Sequence, residues 1–125
     1  MEINDLLTTE AHEAGAEVEI KDPTTLKGLG VFIKVAGIGS KRFRKAKSKI
    51  TADSLQIKAD GNEVDSEAQL VKMVAGATIG WRGIKKDGKD LEFSVEECEK
   101  LYLGSDFVYD QVFNFIADRE NFTNG

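Results

Sequence analysis

The chain is expected to form an α+β domain, an N-terminal β-hairpin packed on a mainly helical body of about four helices. Three features predict it. Two early stretches alternate apolar and polar residues, the mark of half-buried strands. Four later stretches repeat apolar residues at helical spacing, and each opens on a Ser that can cap a helix. The 125 residues are 41% hydrophobic and 31% charged, an ordinary composition for one folded domain. The expected organisation is a flexible arm over residues 1–15, one domain over residues 16–122 and a tail over residues 123–125.

In the arm, Ile3, Leu6 and Leu7 could dock a short helix, but Thr8–Gly15 has no apolar period. His12 lies there. The chain has no second His to share a metal or a proton relay, so His12 is read as exposed. Ala16, Val18 and Ile20 then alternate with Glu17 and Glu19 in a first strand. Asp22-Pro23-Thr24-Thr25 is turn chemistry, with Pro23 fixing φ. Val31, Ile33 and Val35 alternate with Phe32 and Lys34 on the return, across a loop of about seven to nine residues.

Ser40 caps a helix running to about Ala59, with Phe43, Ala46, Ile50, Ser54 and Ile57 at helical spacing. Lys41, Arg42, Arg44, Lys45, Lys47 and Lys49 surround that stripe. Ser66 opens the next helix, with Gln69 as its capping-box partner. Leu70, Val71, Val74, Ala77, Thr78 and Trp81 are placed along its inner face, making it the central helix. A polar turn at Lys85–Asp90 follows, flanked by Trp81–Ile84 and Leu91–Phe93. Ser94 and Glu97 form a capping box for a helix bearing Val95, Cys98, Leu101 and Tyr102. Ser105 opens the last helix, whose Phe107 and Phe113 widen the apolar surface beyond one face. That surplus points to another subunit or a partner. Phe122 is a candidate anchor in the tail beyond Asn121.

These residues name no reaction. The glycines around Gly28, Gly30, Gly37 and Gly39 lack the spacing of a phosphate-binding loop, and Ser40 precedes Lys41 rather than following it. Asp87, Asp90 and Glu92 miss the register of a calcium loop. Cys98 sits among Glu96, Glu97 and Glu99, which oppose a thiolate, so it is read as a core residue. No nucleophile–base pair or metal-ligand cluster is evident, and neither an enzyme nor a cofactor is expected. The basic helix could track phosphates, but the net charge is −5 and no aromatic residues interleave to stack bases. A positive face that meets an acidic protein partner fits better. The N-terminus shows no signal-peptide pattern, and the longest nearly apolar run, Val71–Trp81, is too short to cross a bilayer. A cytoplasmic protein without membrane or nucleic-acid contacts is expected.

The order of segments carries a resemblance. Val18-Glu19-Ile20 leads to Asp22-Pro23, and a strand ends in Val35-Ala36-Gly37 before Ser40-Lys41-Arg42-Phe43-Arg44-Lys45-Ala46. Later come Gly80-Trp81-Arg82-Gly83, Phe93-Ser94-Val95-Glu96-Glu97-Cys98, and Asp118-Arg119-Glu120-Asn121-Phe122. From Glu17 to Phe122 the chain resembles the small tail assembly chaperones of long-tailed bacteriophages and prophages. The resemblance implies a non-enzymatic protein of the host-cell cytoplasm that is absent from the mature virion. Such proteins bind the long, largely helical tape measure protein and keep it soluble while the tail tube subunit polymerises around it. The family often makes a longer form by programmed frameshift. The contact residues expected here, for the client or for self-association, are Lys41, Arg42, Phe43, Arg44, Lys45, Trp81, Phe107 and Phe113. Two other classes stay open: a tail or head–tail connector component of the virion, and a nucleic-acid-binding regulator.

Overall fold

The computed structural model describes residues 1–122; the tail expected at 123–125 lies outside them. The fold is α+β, with an N-terminal β-hairpin followed by a helical region. Two short helices, α1 (Ile3–Leu6) and α2 (Thr9–Ala14), precede strands β1 (Ala16–Lys21) and β2 (Gly28–Val35). Helices α3 (Lys41–Ala59) and α4 (Ser66–Ala77) follow, then strand β3 (Thr78–Arg82) and a small hairpin of β4 (Lys85–Lys86) and β5 (Lys89–Asp90). Helices α5 (Val95–Gly104) and α6 (Asp106–Ala117) and a 3-10 turn at Arg119–Phe122 complete the described chain.

The sheet is antiparallel in the order β1-β2-β3, with α3 and α4 inserted between its second and third strands. Val18 faces Ile33 across the first pair, and Ile33 faces Trp81 across the second. The loop joining β1 to β2 spans residues 22–27, shorter than expected, because Gly28–Gly30 already belongs to the strand. Asp22 closes it: its Oδ1 accepts from the N–H groups of Thr24 and Thr25 at 2.8 and 2.9 Å. The outer face of the sheet is polar. There Arg82 lies 3.8 Å over the Phe32 ring and pairs with Glu17 at 3.0 Å.

The inner face carries the core. Ile20, Ile33 and Val35 meet Val71 and Val74 of α4, Tyr102 of α5, and Val112 and Ile116 of α6, all buried. The Tyr102 hydroxyl lies 2.8 Å from Thr78 Oγ1, which also donates to the Val74 carbonyl at 2.9 Å. A buried hydroxyl pair is thus satisfied inside an apolar core.

Four expectations need correction. Trp81 leaves the helix: α4 ends at Ala77, and Thr78–Arg82 becomes the third strand. Spacings of three and four suit a helix, but β-branched Thr78 and Ile79 also suit a strand, and the open edge of β2 decides between them. The cap of α4 is Asp65, whose side chain accepts from Ala68 N at 3.1 Å. Gln69 is no capping partner; it is buried, and its Oε1 has no partner. Leu70 is half exposed rather than on the inner stripe.

The fourth concerns His12, which is fully buried on helical Thr9–Ala14 instead of exposed on an unstructured arm. Its Nδ1 accepts from Gly39 N at 2.9 Å, and its carbonyl accepts from Gly37 N at 2.8 Å. Its ring stacks on Phe122 at 5.2 Å. A Cβ at Gly37 would run into the imidazole, so that glycine provides close approach. Burial, then the nearby Arg119 charge, lowers the His12 pKa and favours the neutral ring that this geometry needs.

Candidate protein-docking surface

Helix α3 is positioned at its start by three contacts. Ser40 Oγ accepts from Phe43 N at 3.0 Å, as its capping role requires. Arg44 donates to the Gly39 carbonyl at 2.8 Å, and Lys41 N donates to Glu13 Oε1 at 3.2 Å. Along its length α3 packs mainly on α4. Phe43, Ala46, Ile50 and Ile57 form a half-buried stripe, and no residue of the helix is fully buried.

The charges on α3 run against its own stability. Lys41, Arg42 and Arg44 stand in the first turns, where the helix dipole disfavours cations; no acidic residue of the helix itself stands there, and the Glu13 carboxylate on Lys41 N offsets them only in part. The ion pairs among the described residues are Arg82–Glu17 and Lys100–Glu97, and neither involves α3. All six cations from Lys41 to Lys49 are exposed. The helix therefore presents a positive face to solvent.

Beside the cations lies an apolar groove. Ile38 and Phe43 form one wall, Leu70 and Met73 of α4 the floor, and Phe113, Ile116 and Ala117 of α6 the other wall. Lys47 is the only charged lining residue. Leu70 is 45% exposed and Phe113 39%, so both present apolar surface to solvent. The volume is about 260 Å³. Sites that enclose a drug-sized ligand run from about 300 to 1,000 Å³, so this hollow suits anchor side chains of a docking segment.

Two expected contact residues therefore meet, since Phe43 and Phe113 line one groove; Lys41, Arg42, Arg44 and Lys45 are exposed on the same helix as Phe43 but do not line it. Trp81 and Phe107 lie elsewhere. The Trp81 indole donates to the Leu91 carbonyl at 2.8 Å and meets Phe93 edge-on at 5.1 Å. That contact seats the β4–β5 hairpin, whose Asp87 and Gly88 both take positive φ. Phe107 packs half-buried against the core. Sequence reasoning missed Ile38, Met73, Ile116 and Ala117. The available signal was that Met73, like Leu70, is an apolar residue off the Val71–Val74 stripe of α4.

No family model, curated protein or solved structure matches this chain. The surface is thus read from its own chemistry. Cys98 is fully buried, and burial pushes its thiol up to about 11, which suits a core residue and not a nucleophile. Among the described residues no group of three His, Cys, Asp or Glu side chains is placed to hold a metal ion. Among them, too, no helix is long and apolar enough to cross a membrane.

Proposed function

We propose that this chain is a tail assembly chaperone of a long-tailed bacteriophage or prophage. It binds the tape measure protein and keeps it soluble until the tail tube subunit polymerises around it. It acts without catalysis in the host-cell cytoplasm and is absent from the finished virion. The resemblance over Glu17–Phe122 supplies the client. The observation that carries the reading is the apolar groove of Phe43, Leu70 and Phe113 beside unpaired cations of α3. An amphipathic helix lays its apolar face into such a groove. Acids on the flank of that helix would meet Arg42, Lys45 and Lys47.

Co-expression with the tape measure protein tests it. Phe113→Glu, and separately Arg42→Glu with Lys45→Glu, should return the client to the insoluble fraction. Arg42→Glu also separates binding from folding. An acid at the second helical position should raise stability by about 0.3–1 kcal/mol, so loss of the client cannot be blamed on unfolding. Client solubility unchanged in both variants removes this surface from the proposal. Mass spectrometry of purified particles tests the rest, since many copies of the chain in the virion would make it a structural subunit instead.

A further inference from the structure

The N-terminal segment carries the complement of the groove. No residue of α1 is buried, and none of its residues lines the groove of its own chain. Met1, Ile3 and Leu6 are 98%, 67% and 64% exposed. A helix of four residues does not persist on intrinsic propensity and needs a surface to pack on. Glu2 and Asp5 sit between those apolar residues, so the segment is apolar and acidic where the groove is apolar and basic.

We infer that the N-terminal segment of a second copy occupies the groove. Ile3 and Leu6 fill the space between Phe43, Leu70 and Phe113, while Glu2 and Asp5 approach Lys47 and its neighbours on α3. The exchange is mutual. Each chain offers one segment and one groove, so two copies close a two-fold dimer with nothing left to propagate. His12 holds α2 against Gly37 and Gly39, which fixes the root of the segment while α1 reaches across. Self-association of this kind shields the exposed apolar surface until a client helix with the same pattern displaces the segment. The inference shares its groove with the proposed client but does not depend on the client's identity.

The test uses the full chain with no client present. Light scattering coupled to size exclusion should show a dimer that weakens with salt. Ile3→Glu with Leu6→Glu should abolish the dimer and the concentration dependence of the thermal midpoint while the circular dichroism stays unchanged, because both positions are exposed in the single chain. Mixing a Leu6→Cys variant with a Leu70→Cys variant under mild oxidation should trap a cross-linked pair, which seating within one chain cannot produce. A wild-type monomer at all concentrations overturns the inference. So does a dimer that survives Ile3→Glu with Leu6→Glu, or a mixed pair that fails to cross-link. Client solubility is read separately, so either result can fail without the other.

Discussion

Gly76 stands where α4 crosses α3, and a Cβ built there would lie 2.9 Å from the Ala46 Cβ. Two opposed effects follow for Gly76→Ala. Removing a glycine from a helix interior gains about 1 kcal/mol in propensity. Forcing a methyl group into a contact that tight costs about 1–3 kcal/mol in overpacking. The second effect should win, with a net loss of about 1 kcal/mol. Ala46→Gly alone should also cost about 1 kcal/mol, since it places a glycine in the interior of α3. Together the two substitutions exchange the methyl group across the contact. One helix gains what the other loses and the clash is gone, so the double variant should return to within about 0.5 kcal/mol of wild type, near the limit to which such values add. The coupling is then about 2 kcal/mol, far from additive. Urea unfolding followed by both circular dichroism and the fluorescence of Trp81 measures it. A Gly76→Ala protein more stable than wild type, or an additive cycle, would refute the close crossing and with it the placement of α3 beside the groove.

The buried His12 makes stability depend on pH. Its folded pKa is below its ordinary 6.5, so the unfolded chain takes up the proton first as pH falls. The contribution of the neutral ring is complete above about pH 6.5 and declines from there down to the folded pKa. Thermal midpoints should therefore drop between pH 7 and pH 5, and His12→Asn should flatten the drop within that window. For the buried hydroxyl pair, Tyr102→Phe should cost about 0.5–1.5 kcal/mol, because Thr78 keeps its bond to the Val74 carbonyl. Thr78→Val should cost more, about 1–3 kcal/mol, since it strips the Tyr102 hydroxyl of its Thr78 partner in the core. Urea midpoints that rank these two in reverse would discount the pair.

Local chemistry was legible where it was sufficient. Alternation over Ala16–Ile20 and Val31–Val35 implied the hairpin, and the side chains of Ser40 and Ser94 make the capping bonds that their positions implied, at 3.0 and 3.1 Å. Trp81 was not legible, because a run as short as Thr78–Trp81 satisfies both a helical and a strand period until a neighbouring strand offers its hydrogen bonds. His12 was missed for a related reason. Its burial depends on Gly37, Gly39 and Phe122, and no pattern in Thr8–Gly15 reports residues so distant in sequence. The groove was half visible. Phe43 was placed on the apolar stripe of its helix and Phe113 among the aromatic surplus of the last one, but their meeting depends on the packing of α3, α4 and α6. Of the two residues that join them, Leu70 read as core and Met73 went unassigned, on a helix that is apolar on more than one side.

The arrangement that makes the groove also makes α3 the least secured of the long helices. It buries no residue, its first turns carry cations that the dipole disfavours, and it packs mainly on one neighbour. By contrast α4, α5 and α6 each contribute fully or nearly fully buried residues to one core. Elements with few buried contacts open locally at a free energy below that of global unfolding. Native-state hydrogen exchange should find the amides of residues 44–59 exchanging through such an opening, while those around Val74, Tyr102 and Val112 exchange only with global unfolding. A groove with one yielding wall accommodates client helices of different girth, and a seated helix should slow exchange in α3 more than in α5. Should α3 exchange only by global unfolding, the groove is rigid. Its occupants would then have to match the spacing of Phe43 and Phe113 as it stands.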